Sequence, residues 1–231
     1  MAKKKKQPSH DTVESFEHAL TKTEQFIEDN QKSISIALGV IICIVLVYLG
    51  YKKLYLAPQQ EEAASQMFVA EQYFRNDSFN LALYGDGNYL GFIDIIEDYG
   101  ITKPGNLAKY YAGISYLHLG DYEEAIKYLK KFDAETEIIG PVAIGAIGDA
   151  YLEMGNPQKA LSYYQKAYEK EENMLTTPLY LYKSALIHEE NGEYQKALDN
   201  YLTIRKEYPK SHQGRRIDKY IANVKVVIGK E

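Results

Sequence analysis

The sequence repeats one pattern three times at a nearly constant interval. The glycines of the three copies, Gly120, Gly155 and Gly192, lie 35 and 37 residues apart, and an alanine follows each of them five positions later. The aligned segments are residues 116–125, 151–160 and 188–197. A period near ~34 residues is typical of stacked helix–turn–helix units. The spacing therefore predicts an all-α fold, an α-solenoid built from helix pairs.

The residue types in each copy fit two packed helices joined by a tight turn. Each glycine stands where the first helix ends, a position that needs a left-handed backbone. The small alanines allow the paired helices to pack closely, and tyrosines fill the space between them. These residues are Ala125, Ala160, Ala197, Tyr116, Tyr151, Tyr164 and Tyr201. Pro209 closes the last unit, since proline favours a helix end.

These motifs resemble the tetratricopeptide repeat family, with three units in residues 106–209. A weaker unit in residues 54–105 brings the predicted number to about four, although Gly85, Asp86 and Gly87 interrupt its second helix. Its matching residues are Ala70, Tyr73, Phe79, Ala82, Phe92, Ile95, Ile96 and Tyr99. Residues 210–231 are predicted to form a capping helix, which a repeat array needs for solubility. The apolar face of that helix comprises Ile217, Tyr220, Ile221, Val224, Val227 and Ile228.

An uncharged apolar run precedes the repeats, beginning at Ile34 and ending at Tyr51. A membrane-spanning helix needs about 20 such residues, and in lipid a helix satisfies its own backbone hydrogen bonds. We therefore predict a transmembrane helix over residues 34–53. A cleaved signal peptide and a buried soluble helix are the alternatives. Lys52 and Lys53 stand where a signal peptide needs small residues, and a buried helix normally has a polar stripe.

The first 33 residues are predicted to form an N-terminal arm with one amphipathic helix. Its apolar positions are Val13, Phe16, Leu20 and Ile27. The helix either lies on the membrane lipid or docks a membrane partner. The lysines from Lys3 to Lys6 favour a cytoplasmic N-terminus, which places the repeat domain on the far side of the membrane.

Composition excludes several functions. The net charge is −5, and the first 53 residues carry eight lysines and six acids, so the remainder carries −7. An acidic domain is a poor match for nucleic acid. The single cysteine, Cys43, excludes a disulfide framework and a cysteine-based zinc site. The histidines lack metal-ligand or catalytic spacing and are interpreted as packing or surface residues; they are His10, His18, His118, His188 and His212.

Two weaker patterns involve acidic side chains. Residues 86–97 partly match a calcium loop, but Leu90 offers no side-chain ligand, so a glycine-rich turn is the favoured interpretation. An enzyme that uses Asp86, Asp94 and Glu97 is disfavoured. We expect a protein that is not an enzyme, has no cofactor and has no small-molecule substrate.

The first helices of the repeats are expected to line a groove that binds protein. The register places ten residues there: Leu107, Tyr110, Ile114, Leu117, Val142, Asp149, Leu152, Leu179, Tyr182 and Leu186. Such an apolar and aromatic surface is typical of a protein-binding patch, although some of these side chains can instead pack between repeats. The Lys/Asn/Arg set with which some such repeats clamp a terminal carboxylate is missing. Tyr110, Ile114, Val142 and Ala146 occupy those positions.

The layout as a whole is similar to the YfgM-type ancillary subunit of the bacterial Sec translocon. That resemblance implies a single-pass inner-membrane protein with a periplasmic repeat domain. Its implied partners are the SecYEG translocon, a periplasmic chaperone and secretory clients, and its implied role is to assist protein translocation. The alternative is an anchored scaffold or assembly subunit of another bacterial envelope complex.

Overall fold

The computed structural model describes residues 24, 26, 28–134 and 138–229, and these are helical with no strand. The apolar positions of the predicted N-terminal amphipathic helix, Val13, Phe16, Leu20 and Ile27, lie outside the described residues. The chain divides into two compact units, Met1–Pro58 and Gln59–Glu231.

The first unit contains the apolar helix. Helix α1 (Gln31–Gly50) is followed by a π-helical segment, Tyr51–Leu56. The helical run contains an 18-residue window of mean hydropathy 2.6, and none of that window is buried. A long helix that exposes apolar side chains over its whole circumference is compatible with a single-pass membrane anchor.

The second unit begins with an irregular helical region. It contains all but the first two residues of α2 (Ala57–Arg75), together with α3 (Phe79–Tyr84) and α4 (Phe92–Tyr99). Buried side chains from all three helices pack with α5 (Lys103–Leu119) in one apolar cluster. The buried members from the first three are Met67, Ala70, Ala82, Leu83, Phe92 and Ile95. The weak first unit of the sequence therefore shares its core with the regular repeats.

Three regular helix pairs follow. Helix α5 pairs with α6 (Tyr122–Lys131), α7 (Ile139–Glu153) with α8 (Pro157–Lys170), and α9 (Thr176–Glu190) with α10 (Tyr194–Glu207). Side-chain capping begins two of these helices. The Thr102 hydroxyl accepts a hydrogen bond from Gly105 N at 3.0 Å, and the Asn156 side chain accepts one from Lys159 N at 3.2 Å. Both satisfy donors that a helix start leaves unpaired.

The predicted glycine turns are confirmed. Gly120, Gly155 and Gly192 have φ angles of 83°, 70° and 74°, in the left-handed region. The amide that follows each glycine donates to a carbonyl in the last turn of the first helix. The three bonds are Asp121 N to Tyr116 O at 2.9 Å, Asn156 N to Tyr151 O at 2.8 Å and Glu193 N to His188 O at 2.8 Å. One helix-ending hydrogen bond therefore recurs in all three units.

The predicted packing residues lie in the core. Ala125, Ala160 and Ala197 are fully buried, as are Tyr164 and Tyr201, and Tyr116 is 7% exposed. Close approach also depends on a glycine outside the repeat pattern. A Cβ at Gly145 would lie 2.0 Å from a ring carbon of Tyr180, so that ring packs directly on the α7 backbone.

Helix α11 (Ile217–Val227) follows the last pair and buries Ile217, Ile221 and Val224 against it. The sequence pattern places Val227 on the same face, but the structure leaves it 58% exposed. At about 100° per residue, Val227 is rotated about 80° away from Ile217, at the edge of the stripe. The buried face is consequently narrower than the apolar pattern indicates.

Candidate protein-binding groove

A groove of about 670 Å³ opens where the first helices α5, α7 and α9 end. Its floor and walls mix leucine and isoleucine side chains with charged ones. The lining residues are Leu117, His118, Tyr122, Asp149, Leu152, Glu153, Tyr164, Lys183, Leu186, Ile187 and Glu190. Successive repeats therefore contribute side chains to one surface open to solvent.

The structure brings four of the ten predicted groove residues together there, namely Leu117, Asp149, Leu152 and Leu186. The others lie elsewhere. Leu107 lines a separate pocket of about 430 Å³. Tyr110 and Ile114 pack against the core around Leu129 and Ala143. Leu179 packs against the cluster that contains Tyr164, and the Tyr182 ring lies 6.1 Å from that of Tyr201. Val142 is half-buried, and its carbonyl accepts a 3.4 Å hydrogen bond from the Tyr180 hydroxyl.

A polar network centred on Asp149 joins three helices beneath the groove. The Tyr164 hydroxyl donates to Asp149 Oδ1 at 2.6 Å, and Lys183 Nζ lies 2.6 and 2.8 Å from the two carboxylate oxygens. Both members of the ion pair are about one-third exposed. An ion pair of this exposure contributes about 0–1 kcal/mol. The pair nevertheless links α7 directly to α9.

Sequence reasoning missed Lys183 and Tyr164 as groove residues. Lys183 follows Asp149 by 34 residues, close to one repeat period. In the sequence, an acidic and a basic residue one repeat period apart on successive first helices could therefore have predicted this ion pair. The repeat pattern assigns Tyr164 to the core, and its ring is fully buried, but its hydroxyl reaches the groove through Asp149.

Burial raises the pKa of several tyrosine hydroxyls in the repeat region. Burial raises the pKa of Tyr164 above its ordinary value of 10.0, and the neighbouring Asp149 raises that pKa further. The pKa of Tyr208 is raised to about 12, first by burial and then by the hydrogen bond to Glu172. Burial is likewise the first cause of a raised pKa at Tyr116, Tyr180, Tyr182 and Tyr201.

Alkaline pH is accordingly expected to unfold the repeats cooperatively above about pH 10. A tyrosine with a raised folded-state pKa stabilises the fold while it is protonated. That stabilisation is complete below the unfolded pKa near 10 and is lost as pH rises through the folded pKa, about 12 at Tyr208. Absorbance at 295 nm and circular dichroism at 222 nm should change together. Titration of every tyrosine near pH 10 with no loss of helix would contradict this expectation.

The other sequence candidates have structural roles. The Asp86 carboxylate accepts hydrogen bonds from Asn88 N and Tyr89 N, both at 2.9 Å, and from the Tyr73 hydroxyl at 2.9 Å. These contacts close a turn, the favoured interpretation of that loop. Among the described residues, no three His, Cys, Asp or Glu side chains are grouped to hold a metal ion.

Two histidines of the repeat region make side-chain packing contacts. His118 stacks on Phe79 with ring centroids 4.4 Å apart, and His188 Nδ1 lies 2.6 Å from a Glu193 carboxylate oxygen. His212 is exposed, while His10 and His18 lie outside the described residues. His118 thus makes an aromatic contact and His188 a polar one, and the interpretation of the histidines as packing or surface residues stays a prediction.

Parts of the repeat region are similar to known proteins. Two models described as "Tetratricopeptide repeat" match residues 107–135 and 146–212. Two curated proteins, each named "Photosystem I assembly protein Ycf3", are 41% identical over 59 residues; they come from Synechococcus elongatus and a Synechococcus species. The match covers 26% of this chain and 34% of each relative, so the chain spans about a third of their length. The matched repeats and the all-helical fold together support the interpretation of this chain as a tetratricopeptide repeat protein.

Proposed function

We propose that this protein is a membrane-anchored subunit without enzymatic activity that binds protein partners in the groove at the ends of α5, α7 and α9. The observation that carries the proposal is the groove itself, in which three successive repeats present apolar and charged side chains on one surface. Tetratricopeptide repeats imply protein–protein interaction, and an open surface that mixes apolar and polar groups suits a protein ligand.

The proposed partners are the SecYEG translocon and a periplasmic chaperone, and the proposed role is to assist secretory or membrane proteins during translocation. The long apolar helix supports an anchored protein. The Lys3 to Lys6 run supports a cytoplasmic N-terminus. The proposal then puts the apolar helix in the bacterial inner membrane and the repeat domain in the periplasm. A tether of this kind holds a binding groove near the channel from which clients emerge.

A second candidate is an anchored assembly subunit of another envelope complex. The similarity to proteins named for photosystem I assembly favours it, because the 59 matched residues reach 41% identity.

Purification of the full chain in mild detergent, with identification of co-purifying proteins, is expected to recover SecYEG subunits and a periplasmic chaperone. The anchor unit alone, residues 1–58, serves as the control, because it retains the apolar helix and lacks the groove. Partners that depend on the groove should be lost from that control. Recovery of a different envelope complex without any translocon subunit would reject the translocon and favour the assembly role.

A further inference from the structure

Two carboxylates of the groove, those of Glu153 and Glu190, face solvent without a neutralising partner among the described side chains. Both residues line the groove and are exposed. Lys183, the lysine of the lining, is already bound to Asp149 at 2.6 Å. Within residues 28–134 and 138–229, no basic side chain forms an ion pair with Glu153 or Glu190. Two uncompensated negative charges therefore face the volume that a ligand would enter.

The backbone adds to this negative potential. Helix α7 ends at Glu153 and α9 ends at Glu190, and α5 ends at Leu119, next to the lining residue His118. The C-terminal end of a helix carries a partial negative charge of roughly half an electron. Three such ends meet at the groove, so side-chain and backbone charges have the same sign there.

Two of the second helices, α6 and α8, have the opposite character. Helices α6 and α8 together carry six lysines and three glutamates. A cationic ligand is repelled by those two helices and attracted to the groove. The acidic character of the groove is therefore not shared by the repeat surface as a whole.

Apolar side chains lie beside the carboxylates. Leu152 directly precedes Glu153, and Leu186 stands one helical turn before Glu190 with 38% of its surface exposed. Leu117 and Ile187 complete the apolar part of the lining. Ile187 is itself buried, so a ligand must match leucine surfaces and carboxylates within the same groove.

We propose that the groove selects peptide segments in which lysine or arginine side chains alternate with apolar ones, with Glu153 and Glu190 as the residues that select the cations. This inference rests on the proposed function, since it assumes that the groove binds protein. Complementary charge suppresses wrong partners and speeds association. The groove thus discriminates among exposed apolar segments by their flanking charge.

The test uses the full chain in nanodiscs of phosphatidylcholine, a lipid without net charge, because cationic peptides also bind anionic lipid. Three labelled peptides share one leucine pattern and carry lysine, glutamine or glutamate at the remaining positions. Fluorescence anisotropy measures their binding at low and high salt. The lysine peptide is expected to bind about tenfold more tightly than the glutamate peptide at low salt, with the difference shrinking as salt screens the charges.

The double variant Glu153→Gln/Glu190→Gln is expected to lose about tenfold in affinity for the lysine peptide and to bind the glutamine peptide unchanged. The matched control, Glu123→Gln/Glu169→Gln, removes two exposed carboxylates from α6 and α8 and should behave as the parent chain. If all three peptides bind equally and neither variant changes their affinity, the proposed charge selection is wrong. That result would not contradict the proposal that the groove binds protein. Failure of every peptide to bind also overturns the inference, while co-purification judges the proposed function separately.

Discussion

Replacing Tyr164 by alanine is expected to remove about 3–5 kcal/mol from the free energy of unfolding, the usual cost of deleting a buried aromatic ring. The ring is fully buried on α8. It stacks on Tyr180 with centroids 5.7 Å apart, and a Cβ at Gly148 would lie only 2.6 Å from a ring carbon. Deleting the ring would leave a cavity between α7, α8 and α9. The Gly148 backbone and the Tyr180 ring already pack tightly around that position.

Tyr164→Phe separates the ring from the hydroxyl. It should cost about 1–2 kcal/mol, because Asp149 loses one hydrogen bond but keeps Lys183 as its partner. Tyr163→Ala is the matched control, since Tyr163 is adjacent on the same helix and only half-buried. Its expected cost is about 1 kcal/mol, for a ring that solvent already reaches.

Chemical denaturation of the full chain in mild detergent, followed by near-ultraviolet circular dichroism of the tyrosines, measures these differences. In a repeat array each unit is stabilised by its neighbours, so a defect in the central pair can split one transition into two. A loss at Tyr164→Ala no larger than that at Tyr163→Ala would mean that the Tyr164 ring is not the packing centre of this pair.

The parts of the fold that depend on local chemistry can be predicted from the sequence. A left-handed turn after a helix favours glycine wherever it occurs, so the residue type and spacing of Gly120, Gly155 and Gly192 are enough to locate three turns. The alanines and tyrosines at fixed distances from those glycines locate the buried faces. The period between repeats locates the glycines, and each buried position then follows from its distance to the glycine of its own repeat.

The groove is less predictable, because its lining depends on the rotation between repeats. A shift of one position along a helix moves a side chain by about 100° around its axis. Tyr110, Ile114 and Leu117 share one face of α5 and pack on the same apolar cluster. Leu117 also lines the groove because it lies near the end of the helix, where the groove opens. The contact between Asp149 and Lys183 depends on that same rotation. Whether the buried members of the predicted set contact a partner stays a prediction.

The positions of Tyr110 and Leu186 determine which of them is the better probe of partner binding. A charge at Tyr110 would disturb the core, where its ring lies 5.6 Å from that of Phe132. Leu186 is a cleaner probe because it lines the groove and is 38% exposed. Glutamine is the appropriate replacement, because it retains helix propensity and leaves the charge of the groove unchanged. Its effect is thus independent of Glu153 and Glu190.

Leu186→Gln is expected to weaken partner capture at least about tenfold, because truncating or polarising an apolar anchor at the centre of an interface costs roughly 2 kcal/mol. The thermal midpoint should change little, since Leu186 is only partly buried in the free protein. Leu81→Gln is the matched control: Leu81 is 41% exposed on α3 and lies outside the groove lining. Quantitative co-purification of both variants provides the measurement. Equal retention of partners by the two variants, both still folded, would move the binding surface away from the groove, because a groove ligand must contact the leucine that projects into it.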